Sequence, residues 1–122
     1  MPPDEVAAAR AFHDAAVKKA CVVCGRTDRE ARAGVRVVIF GKAVQTVTHL
    51  QAHHALSRQR LRRLGLEHLF WDPRNAVAVC EDPCHRRHTS ALDRIPLAAL
   101  PQAALDFADE LGLGYALERE YA

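Results

Sequence analysis

The sequence predicts a single α+β domain that is fastened by a zinc site of four cysteines. The chain has 122 residues, the size of one ordinary domain, and we expect residues 1–122 to form one unit. Alanine-rich segments favour helices, and short runs of β-branched residues favour strands. The cysteines occur as two close pairs, Cys21-Val-Val-Cys24 and Cys80-Glu-Asp-Pro-Cys84. Helices, strands and a metal site are therefore all expected.

The composition is typical of a soluble protein, with 49% hydrophobic and 26% charged residues. It contains no apolar run of about 18 residues that could cross a bilayer. The first residues are acidic and have no basic segment ahead of an apolar stretch, so a secretory signal is not expected. We therefore expect a cytoplasmic protein without a membrane partner.

The first half of the chain predicts a helix followed by a hairpin. Residues 4–20 are rich in alanine, with acids at the start and lysines at the end, which matches the helix dipole. Residues 35–40 and 45–56 carry β-branched residues and predict strands that are joined near Gly41.

The second half predicts shorter elements with clear boundary residues. Ser57 can cap a helix that Gly65 ends. The sequence WDPRN predicts a turn, and AVAVC predicts a short strand. The predicted elements are a helix at 57–65, a turn at 71–75, a strand at 76–80, a helix from Pro83 or Cys84 to about Leu92, and a helix from Pro101 to Leu111 before Gly112.

The two cysteine pairs predict a structural metal site. Thiols inside cells stay reduced, so close pairs there are more often metal ligands than disulfides. Both spacings allow paired thiolates to reach one tetrahedral zinc ion, and a site closed by four thiolates stabilises a fold without performing chemistry. The alternative is four reduced cysteines that pack as small hydrophobic side chains.

Four histidines form a second candidate group. His85 and His88 lie three positions apart, on one face of the predicted helix. His53 and His54 are adjacent in a predicted strand, where neighbours point to opposite faces. One of them could therefore bind a metal while the other points elsewhere.

The order of AHHALSRQRLRR, WDPRNAVAVC and CHRRHTS resembles the HNH endonuclease family, in the branch where cysteine knuckles frame the motif. The similarity runs from about Cys21 to Ile95, with its core at 51–90. It implies a ββα-metal core with a four-cysteine structural zinc site and flanking N-terminal and C-terminal helices.

The resemblance also implies roles for individual residues. His54 corresponds to the general base that activates water, and His53 and His85 correspond to ligands of a catalytic divalent cation. Asn75 corresponds to the central asparagine, which braces the loop between the strands. His88 is a third ligand, a phosphate contact or neither.

This chain departs from the commonest family pattern at two points. The second knuckle has three residues between its cysteines where many relatives have two. His53 stands where other relatives have aspartate, which leaves Mg²⁺, Mn²⁺, Ni²⁺ and Zn²⁺ open as the catalytic ion.

The resemblance implies a hydrolase that cuts DNA, as a nick or as a double-strand break. Between His53 and Arg94 the sequence has eight arginines and five acidic residues. This modest excess of positive charge favours an anionic partner. Arg58, Arg86 and Arg87 are candidate phosphate contacts. Some relatives belong to phages or mobile elements and act with packaging proteins. The alternative is a zinc-stabilised nucleic-acid binding module without catalysis.

Overall fold

The computed structural model describes residues 3–39, 41–85 and 95–121, which fold as a mixed α and β structure. The helices and strands are α1 (Pro3–Val17), α2 (Asp28–Ala33), β1 (Val35–Ile39), β2 (Lys42–Thr46), β3 (Leu50–His54), α3 (Arg58–Arg63), β4 (Ala76–Cys80), α4 (Gln102–Glu110) and α5 (Gly114–Glu120). Short helical turns lie at Glu67–Leu69, Pro73–Asn75, Glu81–His85 and Leu97–Ala99.

The strands form two separate antiparallel pairs. β1 pairs with β2 around Gly41, whose φ of 77° is a backbone conformation that glycine adopts without strain. β3 pairs with β4 in a register that places His53 opposite Val77 and His54 opposite Ala76. The predicted hairpin near Gly41 and the predicted strand at 76–80 are therefore confirmed.

The predicted continuous strand over 45–56 is wrong, because the chain leaves the first hairpin after Thr46 and begins a new strand at Leu50. Tertiary hydrogen bonds hold this break. The Thr48 amide donates to the Ala31 carbonyl at 3.0 Å, and the Leu50 amide donates to Oδ1 of Asp28 at 2.9 Å. These bonds turn the second strand toward β4 instead of extending the first hairpin.

The core surrounds β4, in which every residue is buried. Phe107 of α4 and Leu117 of α5 belong to the same hydrophobic cluster as the middle of β4. Phe12 and Ala16 of α1 pack with Ala76 in a smaller cluster. Burial on all sides explains why β4 reads as a continuous apolar run instead of an alternating one.

The boundary residues of the helices act as the sequence predicts. Oγ of Ser57 accepts a hydrogen bond from the Arg60 amide and caps α3, and Gly65 follows the helix with a φ of 73°. Helix α1 ends at Val17, three residues before the predicted end. Gly112 ends α4 as expected. The sequence does not predict α5 as a separate helix, because Leu113 at its start has no side chain that could cap it.

The C-terminal part of the chain is tied to the segment that connects β3 to β4. Arg74 binds Glu110 at 2.7 Å, and Arg60 binds Glu120 at 3.0 Å. The Tyr121 hydroxyl donates to the Ala55 carbonyl at 2.8 Å. These contacts brace the segment that follows His54.

The predicted helix after Cys84 lies mostly outside the described residues. The described part is the turn Glu81–His85, in which Asp82 has an extended backbone with φ −138° and ψ 130°. Among the described helices, none combines the length and the hydropathy that crossing a membrane requires.

Candidate functional site

The four cysteines converge on one point although the two pairs lie far apart in sequence. Their Sγ atoms all lie within 4.8 Å of one another. Cys21, Cys80 and Cys84 are buried, and Cys24 is exposed. Within the described ranges these four form the one group of three or more potential metal ligands.

This arrangement fits a tetrahedral metal ion. A zinc ion with Zn–S bonds of about 2.3 Å places its sulfur ligands about 3.8 Å apart. The Sγ atoms of Cys24 and Cys80, one from each pair, are 3.9 Å apart. The cysteines could therefore hold a metal ion such as zinc, and four thiolates would fill its coordination sphere.

Backbone hydrogen bonds place the first knuckle against β4. The Val22 amide donates to the Ala78 carbonyl at 3.0 Å, and the Cys21 amide donates to the Arg26 carbonyl at 2.7 Å. Gly25 makes the return turn with a φ of 81°. Since β4 ends at Cys80, its last residue brings the second pair to the same place.

The close approach of the sulfur atoms shifts the pKa values of Cys21 and Cys84 in opposite directions. Hydrogen bonds from Cys80 and Cys84 lower the pKa of the Cys21 thiol. The same contacts with Cys21 and Cys80 raise the pKa of Cys84. A bound divalent ion would supply the charge that allows every thiol to ionise.

Arg26 also belongs to this centre, although the sequence pattern does not indicate it. Its Nε donates to Cys24 Sγ at 3.2 Å, and its Nη2 donates to Cys80 Sγ at 3.1 Å. Burial alone would lower the pKa of Arg26, but the bonds to the two sulfur atoms outweigh it and raise that pKa. In the sequence Arg26 directly follows the Cys-x-x-Cys-Gly knuckle, but nothing local indicates that its side chain turns back onto the sulfur atoms.

His53 and His85 come together on one face of the β3–β4 pair. Their ring centroids are 6.0 Å apart, and the ring planes are inclined by 70°. Two imidazoles on one cation at about 2.0–2.1 Å have centroids roughly 5 Å apart. The observed separation is therefore about 1 Å longer than that of two imidazoles bound to one ion.

His54 points to the other face of β3, where α1 covers it. Its ring stacks on Phe12 with centroids 4.4 Å apart, and Trp71 lies at 5.5 Å. Its Nε2 lies 2.8 Å from the Phe70 carbonyl oxygen. Because a carbonyl only accepts, Nε2 carries the proton and Nδ1 keeps the lone pair. Burial lowers the pKa of His54, so the ring is neutral at pH 7.

Asn75 lies in the turn that precedes β4 and is fully buried. Its Oδ1 accepts from the Leu56 amide at 2.8 Å, and its Nδ2 donates to the Leu56 carbonyl at 3.0 Å. Its own carbonyl accepts from the Ala55 amide at 3.0 Å. Asn75 thus binds the two residues directly after His54: its carbonyl binds Ala55, and its side chain binds Leu56.

The candidate phosphate contacts are described only in part. Arg58 is exposed on α3, and its guanidinium lies 5.1 Å from the Trp71 ring centroid and 5.6 Å from that of Phe70. Arg86, Arg87 and His88 lie outside the described residues. Arg58 therefore lies beside Trp71, whose ring also lies near the His54 ring.

Comparison with known proteins identifies no relative of this chain. The chain matches no protein-family model, and neither curated proteins nor solved structures give a significant match.

Proposed function

We propose that this chain is a metal-dependent HNH-type endonuclease that hydrolyses DNA phosphodiester bonds. The observation that carries the proposal is the approach of His53 and His85 to 6.0 Å between ring centroids. The two residues are distant in sequence, and the family resemblance assigns both to one catalytic cation. Asn75 supports the same assignment, since it braces the loop after His54 through both polar groups of Leu56.

His54 would act as the general base through Nδ1. The Phe70 carbonyl holds the proton on Nε2, which leaves the Nδ1 lone pair to take a proton from water. The water oxygen then forms a bond to phosphorus while the bond from phosphorus to the 3′ oxygen breaks. The leaving oxygen takes a proton from solvent, and the products are a 5′-phosphate and a 3′-hydroxyl.

His53 and His85 would hold the catalytic cation. Such an ion, when bound, stabilises negative charge on the phosphate and on the leaving oxygen. The cysteine centre would have a different role, because a metal with four thiolate ligands has no open position for substrate. The proposal therefore separates a structural zinc ion from an exchangeable catalytic cation.

Arginines of α3 would guide the DNA backbone toward His54. Arg58 lies over the Trp71 ring, and Arg62 lies 5.6 Å from the Phe70 ring centroid. Both side chains are exposed, so their charges can meet phosphate oxygens. Nonspecific phosphate contacts of this kind predict salt-sensitive binding with little sequence preference.

One observation favours a second function, a zinc-stabilised nucleic-acid binding module without catalysis. His54 is stacked beneath Phe12 and faces away from His53. A general base must lie close to the phosphate that the cation binds, and the contact with Phe12 covers one face of the His54 ring. In the noncatalytic alternative, His54 would serve only as part of the contact between α1 and the strands.

Incubation with supercoiled plasmid separates the two functions. Purified protein is given Mg²⁺, Mn²⁺, Ni²⁺ or Zn²⁺ in turn, and nicked and linear products are counted on gels. We expect at least one ion to support nicking, EDTA to stop it, and renewed ion to restore it. Plasmid binding without nicking under every ion would overturn the nuclease proposal in favour of the binding module.

A further inference from the structure

The buried guanidinium of Arg26 is the strongest feature that the proposed function leaves unexplained. Only 4% of the residue is exposed, and arginine is almost never buried to this extent without a charged partner. None of the carboxylates in the described residues lies within 4.0 Å of its nitrogen atoms. Its close partners are instead two cysteine sulfur atoms and one backbone carbonyl.

The contacts of Arg26 join the two knuckles. Nε donates to Cys24 in the first pair, and Nη2 donates to Cys80 in the second. Nη2 also donates to the Asp82 carbonyl at 3.1 Å, inside the second knuckle. Nη1 is buried and makes no hydrogen bond within the described part of the chain. The guanidinium group of Arg26 thus connects a cysteine of the first knuckle to a cysteine of the second.

We propose that Arg26 is the outer-sphere cation of the cysteine metal centre and slows the loss of its metal. A divalent ion with four thiolates carries a net charge of −2, which is costly to bury without a compensating group. The guanidinium offsets one of these charges at two of the four sulfur atoms. Partners outside the ligand shell commonly change metal affinity by about 10–100-fold.

The position of Cys24 explains which step Arg26 would slow. Cys24 is the exposed member of the four, so a chelator in solution reaches the metal most easily on this side. The bond from Nε holds the Cys24 sulfur in place beside the other three sulfur atoms. While this hydrogen bond holds, the Cys24 sulfur stays beside the metal when the metal–sulfur bond opens, so re-formation of that bond competes with loss of the metal.

The test compares zinc release from Arg26→Gln, Arg26→Lys and the control Arg29→Gln. Arg29 lies three residues further on and is exposed. Each protein is loaded with zinc and mixed with excess 4-(2-pyridylazo)resorcinol, and the coloured zinc complex is followed over time. We expect release from Arg26→Gln to be about 10–100-fold faster than from the control. Arg26→Lys should be intermediate, since its single ammonium group keeps the charge but cannot bridge both sulfur atoms.

Equal release rates in all three variants would overturn the proposal. If Arg26→Gln does not fold, Arg26→Lys decides against the same control: faster release supports the proposal, and equal release refutes it. The test is independent of nuclease activity. A wild-type protein that binds no zinc at all would refute the proposal together with the cysteine site, and that result is distinct from any difference among the variants.

Discussion

Asn75 binds both backbone polar groups of Leu56, with an N–O distance of 2.8 Å to the amide and 3.0 Å to the carbonyl. Both residues are fully buried. These two hydrogen bonds close the connection between β3 and β4 in the way that a further pair of strand residues would. On the Asn75 side, the donor and the acceptor belong to the side chain. The closure lies two residues after His54, which is the last residue of β3.

Asn75→Ala should lower the free energy of unfolding by about 2–5 kcal/mol, because it leaves the buried amide and carbonyl of Leu56 without partners. Asn75→Asp keeps the acceptor but places a second oxygen against the Leu56 carbonyl and buries a carboxylate, so at pH 7 it should be at least as destabilising as Asn75→Ala. Denaturant unfolding monitored by circular dichroism measures both. Equal stability of Asn75→Ala and the wild type would show that the brace contributes nothing.

Cys84→Ser should lose bound zinc and most of the cooperative unfolding transition, since a structural metal contributes directly to folding. Cys24→Ser should do the same, although Cys24 is exposed. Atomic absorption measures the zinc, and calorimetry measures the transition. Val23→Ala is the control, because Val23 is an exposed residue in the same knuckle. Full zinc content with an unchanged melting profile in both serine variants would contradict the prediction.

His54 should make the fold less stable at acid pH. Burial holds its pKa in the folded protein below the ordinary value of 6.5. Above pH 6.5 the ring is neutral in both states and adds no pH dependence. As the pH falls below 6.5, the unfolded chain binds the proton first, and stability is lost until the pH passes the folded pKa.

Unfolding curves at pH 7.5, 6.5 and 5.5 for the wild type and His54→Gln measure this effect. The cysteine centre is acid-sensitive in both proteins, so the difference between them isolates His54. The wild type should lose more stability than His54→Gln between pH 6.5 and 5.5. An equal loss in both would show that the buried ring does not resist protonation.

His53→Ala and His85→Ala should each weaken binding of the catalytic cation by roughly tenfold or more, given that even indirect partners of a metal have effects of that size. Calorimetric titration of zinc-loaded protein with the ion that best supports nicking measures the affinity. His68→Ala is the control, since His68 is exposed on a separate turn. Unchanged affinity in both variants would remove the histidine pair from the cation site.

The cysteine pairs were predictable because the chemistry of each knuckle is local. Two and three intervening residues already determine that paired sulfur atoms can meet one ion. Arg26 was not predictable, because its bond to Cys80 spans 54 positions and exists only once the knuckle has docked on β4. The residue type alone suggested an exposed charge.

The division of the predicted strand at 45–56 likewise depends on distant residues. Asp28 and Ala31, far from this strand in sequence, accept the hydrogen bonds that end one hairpin and begin the next. The burial of His54 beneath Phe12 is also a tertiary effect. Strand alternation correctly separated His53 from His54, but it could not show what covers each face.

The rate of plasmid nicking as a function of divalent ion concentration, compared between wild type, His53→Ala and His54→Ala, tests the central claim most directly. His53→Ala should need more ion but recover activity at high concentration. His54→Ala should bind the ion normally and reach a plateau roughly 10²–10⁴-fold below the wild type, the usual contribution of a positioned base. A wild-type plateau in His54→Ala, or no nicking by the wild type under any ion, would contradict the account.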